Sequence, residues 1–149
     1  MNNLLLVFSF TIVNRLWLLF AALALISLFN SIVFIQSALD KITDHSGNKA
    51  WMKEQFKDCF LRNSIGFLLP VITFLEMASG LLNIFGITWF YFQHDLRFLA
   101  AGFILSGITL LMLLFGQRVS KNYAGAVSLT GYFLIVILGI LFTLIIAGY

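Results

Sequence analysis

The sequence predicts an all-α fold: an integral membrane four-helix bundle with an interfacial amphipathic helix between the first and second spans. Three observations carry this. The chain is 61% hydrophobic and only 10% charged, whereas soluble domains carry about 25% charged residues. Apolar runs of membrane length recur along it, each near the roughly 20 residues a spanning helix needs. The polar residues inside those runs recur at three-to-four-residue spacing, which places them on one helix face, toward other helices and away from lipid.

The first ten apolar residues, 4 to 13, are too short to span and are set off by Asn14 and Arg15. They are expected to form an interfacial lead-in. No basic residue precedes them and no small-residue cleavage site follows, so no export signal is expected. The first span is expected over about 16–39, with Trp17 at headgroup level. Within it Ser27, Asn30, Ser31 and Ser37 form a polar stripe that leads to Lys41.

Residues 40 to 62 are the one extended hydrophilic region, with turn chemistry at Asp44, Ser46, Gly47 and Asn48. Beyond the turn, Trp51, Met52, Phe56, Cys59 and Phe60 share one helical face, and Lys53, Glu54, Lys57 and Asp58 share the other. This pattern predicts an amphipathic helix over about 49–61, with Asp58 and Arg62 spaced to pair.

The second span, about 65–86, carries a carboxylate halfway along, Glu76. Twelve of its residues are Leu, Ile, Val or Phe, each worth about −0.3 to −0.6 kcal/mol of insertion, against about +2.5 to +3.5 for the acid. Insertion wins by a small margin. Thr73, Glu76, Ser79, Gly80 and Asn83 form its polar stripe, and Pro70 lies early enough to kink the helix without stopping it. The third and fourth spans are expected over about 96–115 and 124–146. Gly102 with Ser106, and Ala124 with Ser128, are small pairs that permit close helix approach. The whole of 1–149 reads as a single domain.

Lys41, Lys49, Lys53, Lys57, Arg62, Arg118 and Lys121 fall on one side of the bundle, and Arg15 and Arg97 on the other. The positive-inside rule then makes loops 40–62 and 117–123 cytoplasmic and both termini periplasmic. The net charge of +3 is spread along span ends without interleaved aromatics, so the expected partners are lipid and other membrane proteins and not nucleic acid.

Arg15, Phe34, Ser37, Ala38, Lys41, Glu76, Gly80 and Gly86 carry a resemblance. An Arg opening the first helix, an F-x-x-S-x-x-x-K exit and an E-x-x-x-G second helix resemble the DoxX family of small bacterial membrane proteins, over about the first 90 residues. Ala38 stands where that family usually has Gly, and the charged segment 43 to 62 departs from its pattern. The resemblance implies a four-helix protein of the bacterial inner membrane, akin to redox-linked subunits.

Depth can be counted separately. Asn30 is 11 residues from Lys41, Glu76 is 11 from Ile65, Ser106 is 11 from Gln117, and Tyr132 is 9 from Tyr123. At 1.5 Å per residue all four lie about 14–17 Å from the loop side. They are expected to form a polar pocket centred on Glu76, fit for a quinone head group or a proton. For Asn30, Ser106 and Tyr132 simple interhelical hydrogen bonding that fixes packing is the leading expectation and the pocket the alternative. No cation is expected at that depth, so desolvation is expected to leave Glu76 uncharged. At the mouth, Gln36, Asp40, Lys41, Gln117, Arg118 and Lys121 are expected to gather, either to hold an anionic group or as boundary charges, with Asp40 paired to Arg118.

His45 and His94 lie in connectors on opposite faces and cannot jointly ligate a metal or haem. Cys59, the sole cysteine, supplies no disulfide or redox pair. No G-x-S-x-G, P-loop or dinucleotide fingerprint is present, so catalysis by this chain alone is not expected. The leading expectation is an accessory or structural subunit of an inner-membrane assembly, in a hetero-complex or a homo-oligomer. It would have no cofactor of its own. The alternative is a subunit that binds quinone or a small anion in the Glu76 pocket. A transporter is disfavoured, since neither inverted repeats nor paired broken helices are present.

Overall fold

The computed structural model describes residues 2–148, and the side chains of 16–148. Helix α1 runs Asn2–Thr43, α2 His45–Gln55, α3 Ile65–Gln93, α4 Arg97–Val119 and α5 Tyr123–Ala147, with one 3-10 turn at Phe60–Ser64. Among the described residues four stretches are long and apolar enough to cross a membrane: Leu16–Thr43, Phe60–Gln93, Arg97–Val119 and Tyr123–Ala147. The short α2 sits between the first two. The lead-in of 4–13 belongs to the continuous α1 helix; its side-chain setting, and that of Arg15, lies outside the described residues.

Helix α3 packs on both α1 and α4, while α5 closes the bundle against α4 and α1. Burial follows the polar stripes. Ser27, Asn30, Ser31, Glu76, Ser79, Asn83, Ser106 and Thr109 are all buried, so the polar face of each of α1, α3 and α4 looks inward. Hydrophobic contacts seal the interior on either side, through Leu23, Leu99 and Phe103 toward one end and Phe34, Leu110 and Val136 toward the other. With lipid as solvent, an apolar exterior costs nothing, and interior packing relies on small residues and polar contacts.

Two glycines permit the close approaches. A Cβ on Gly86 would lie 2.5 Å from Leu99 Cα, and one on Gly80 would lie 3.1 Å from Ile35 N and 3.2 Å from Ser31 O. The expected small pair at Gly102 and Ser106 is buried, but Ala124 and Ser128 are exposed. In α5 the closest approach is made by Gly139, against the Phe103 ring.

The helices outrun the expected boundaries, since α3 continues to Gln93 and α4 to Val119. The connectors shrink accordingly and turn on His94 (φ 54°) and Lys121 (φ 60°). The amphipathic helix is shifted. It starts one turn early because Asp44 caps it, accepting from Gly47 N at 3.0 Å, and it ends at Gln55 where the chain turns inward. Phe56 is 6% exposed, whereas Phe60 is 75% exposed. Cys59 and Phe60 therefore leave the α2 face, and Cys59 Sγ accepts from Leu61 N at 3.4 Å to start the 3-10 turn. The expected Asp58–Arg62 pair straddles this break; the ion pair found is Lys57–Glu54 at 2.7 Å.

Candidate functional site

Glu76 is 1% exposed, and its neighbours are not those the depth count gave. Lys41 Nζ lies 2.9 Å from Oε2 and 3.0 Å from Oε1. Ser37 Oγ donates to Oε1 at 3.0 Å. The premise of an acid without a cation at its depth is therefore overturned.

The cause is a register shift. Counting assumed that Ile65 and Lys41 stand level at the membrane edge. Instead the first turns of α3 pass beyond Lys41 and run beside α2, where a Cβ on Gly66 would lie 4.0 Å from Lys49 Nζ. Gly80 then meets α1 between Ser31 and Ile35, which sets Ser37 opposite Glu76. From Asn30 to Ser37 is about 10 Å of helix. Side-chain direction completes the contact: Glu and Lys lean toward the N-termini of their helices. Lys41 thus reaches one turn back along α1, bonding Ser37 O at 3.1 Å and Ser37 Oγ at 2.8 Å.

The other residues of the expected pocket separate into different settings. Ser106 accepts from Asn83 Nδ2 at 3.0 Å and itself donates to Gly102 O at 2.8 Å. Beside it Ser79 and Thr109 hydroxyls meet at 3.2 Å, and Ser27 donates to Asn83 O at 2.8 Å. This is a second polar layer, deeper along the bundle. Asn30 is buried in α1 with Nδ2 unpartnered among the described residues. Tyr132 is 36% exposed and packs its ring on Phe29 at 6.1 Å, so it faces outward.

The mouth residues divide similarly. Gln36, Asp40, Arg118 and Lys121 are exposed, and the Arg118 guanidinium lies over the Tyr123 ring at 4.9 Å instead of pairing with Asp40. Only Lys41 and Gln117 of that group border the interior.

What they border is a cavity of about 730 Å³, within the range of small-molecule sites. Its base is Ser37, Lys41 and Glu76; its walls are apolar side chains of α3 and α4 such as Ile72 and Met112; its roof is α2. At the roof Gln55 Nε2 donates to Gln117 Oε1 at 2.8 Å and to Ser120 Oγ at 3.0 Å, tying α2 to the end of α4. Ile108, Leu111 and Phe115 of α4 line the cavity and are also half exposed, so its wall there faces the lipid side. Gln55 is a lining residue the sequence did not single out; only its amphipathic setting pointed inward. Ser37 was visible as a member of the α1 stripe, four residues before Lys41.

A buried ion pair, charge-neutral as a unit and set at the end of an apolar cavity, can orient a polar head group while an apolar body fills the remainder. Among the described residues no group of His, Cys, Asp and Glu is gathered as metal ligands would be. No protein-family model, no curated protein and no solved structure matches the chain. On its fold, the chain is a multi-span, all-α membrane protein.

Proposed function

We propose that this protein is a bacterial inner-membrane binding subunit that holds a lipid-soluble small molecule of the quinone class. The observation that carries this reading is the apolar cavity of about 730 Å³ ending on Lys41, Glu76 and Ser37. A compact polar head on an apolar body matches that division. A free anion matches it less well, because the Lys41 charge is already balanced by Glu76 at 2.9 Å. The ligand-holding role is therefore favoured over a purely structural one. The DoxX resemblance around Ser37, Lys41 and Glu76 supports the same assignment, since these are the residues at the base of the cavity. As a subunit, it would hand the ligand to a redox partner in the same membrane.

The test is purification in mild detergent followed by organic extraction and mass spectrometry, together with titration of added short-chain quinone. Near-stoichiometric ligand, lost when Ile72→Trp fills the cavity, is the expected result. An empty protein that neither carries nor takes up such a molecule overturns the reading. The proposed orientation, loops 40–62 and 117–123 cytoplasmic, rests on the Lys and Arg count. A carboxyl-terminal reporter active only in the cytoplasm would reverse it.

A further inference from the structure

We infer that the cavity is entered sideways from the bilayer, through the seam between α3 and α4, so that a bound ligand keeps its apolar tail in the adjoining leaflet while its head lies in the bundle. This rests on the quinone-class reading above and deepens it, because it assigns which part of the molecule the site selects.

The two faces of α4 carry the inference. Leu111 and Leu113 both line the cavity, yet helix positions turn by about 100° each, so side chains two apart point about 160° from one another. Leu113 points inward, packed against Phe34, Leu110 and Val136. Leu111 is 50% exposed, and Ile108 and Phe115, which also line the cavity, are exposed to a similar degree. A closed chamber inside the bundle would touch one face of α4. This cavity touches both, so it passes beside the helix to its outer surface.

The passage lies on the α3 side. Ile65, Leu68 and Ile72 of α3 line the cavity, whereas of α5 only Leu129 does so among the described residues. Deeper in the bundle the same seam is shut, by Gly86 against Leu99, by Asn83 Nδ2 donating to Ser106 Oγ at 3.0 Å and by the Ser79 and Thr109 hydroxyls at 3.2 Å. Toward the loops it is stopped by Phe56, whose Cζ lies 3.5 Å from where a Cβ on Gly116 would stand. From Thr109 to Gly116 the helix rises about 10 Å. That stretch falls within the apolar span Arg97–Val119, so acyl chains and not water meet its outer face.

The roof is tied down instead, since Gln55 holds α2 to Gln117 and Ser120. A ligand arriving there would also have to carry its tail out of lipid into water, which the hydrophobic effect opposes. Through the seam, the tail has lipid around it before and after binding. Its length then adds little to affinity, and selection falls on the head and ring. A sealed chamber would behave in the opposite way: from Ile108 to Gln117 is about 14 Å of helix, and a tail longer than that would be refused.

The experiment uses the full chain in phosphatidylcholine nanodiscs with two alkyl-quinone photoprobes, one bearing a diazirine beside the ring and the other at the tail end. Labelled peptides are mapped by mass spectrometry, and only labelling displaced by excess untagged decyl-quinone is counted, which removes random contact with the lipid-facing helix surface. Ring-side label is expected on residues 37–41 and 72–76, and tail-end label on residues 108–115. In parallel, ethyl-, decyl- and octadecyl-quinone should bind within about threefold of one another when affinity is expressed per lipid, a difference well under 1.4 kcal/mol. Displaceable tail-end label anywhere else, the α2 roof at 48–56 above all, overturns the sideways entry, and so does an octadecyl-quinone that fails to bind where the ethyl compound binds. Either result leaves the quinone-class reading standing, because ring-side label is still displaced. Absence of displaceable ring-side label overturns both.

Discussion

Lys41→Met is the most informative single perturbation of this bundle. It removes the cation 2.9 Å from a carboxylate that is 1% exposed, and among the described residues it leaves Glu76 with Ser37 as its only remaining donor. Removing one partner of a buried pair costs about 3–5 kcal/mol. For a chain of this size, at roughly 2–4 °C per kcal/mol, the melting temperature should fall by about 6–20 °C. Glu76→Gln should cost less, about 1–2 kcal/mol, because the ammonium keeps both Ser37 oxygens and, at 17% exposure, can extend toward the membrane edge. The double variant Lys41→Met with Glu76→Met should recover most of the loss, since an apolar pair of similar volume replaces a buried ion pair at little net cost. Thermal unfolding followed by tryptophan fluorescence at neutral pH, in one detergent, measures all three. A Lys41→Met protein that melts with the wild type, or a double variant as unstable as the single, would refute the buried-pair argument.

Three further outcomes are expected. Gly86→Ala sets a Cβ 2.5 Å from the Leu99 backbone and should cost about 1–3 kcal/mol by forcing α3 and α4 apart; Gly131→Ala, with nothing within 4 Å, should be neutral or stabilising in the same melt. Asn83→Leu removes the interhelical bond to Ser106 Oγ and the bond within α3 to Ser79 O, and at about 0.6–1.7 kcal/mol for the interhelical bond it should lower stability less than Lys41→Met. A cycle with Ser106→Ala isolates the shared part. Outside the spans, the hydrogen bond from the Arg97 side chain holds the Asp95 carboxyl at about 2, below its ordinary 3.8. A depressed folded-state value stabilises above the unfolded pKa, and that contribution is lost as pH falls from about 4 toward 2. Asp95→Asn should therefore flatten that part of the acid melting series, an effect absent above neutral pH.

Much of the candidate site is legible residue by residue, and the assembly is not. Glu76, Lys41, Asn30 and Ser106 stand out in the sequence because polar groups in apolar runs are few, and each keeps helical spacing with others that prove buried. Their partners do not follow from such spacing. Counting rise from presumed membrane edges placed Asn30 beside Glu76, because it treated the end of α1 at Lys41 and the start of α3 at Ile65 as sharing one plane. The cavity was equally unreadable, since its roof, α2, ends at Gln55 only because Phe56 turns inward to pack. Tyr132 shows the converse: its depth was a matter of counting, but its outward direction depends on how α5 rotates against α1 and α4.

The amino-acid order alone determined that this chain spans a membrane, how many times it does so, and which face of each span is polar. Those properties depend on local hydropathy and on the 3.6-residue period, and both are written along one strand of text. Tertiary structure alone decided that Lys41 and Ser37 meet Glu76, that Asn83 takes Ser106, and that a cavity remains between them. These contacts hang on the relative slide and rotation of neighbouring helices. Close-approach glycines such as Gly80 and Gly86 set that slide through packing, which no single helix encodes.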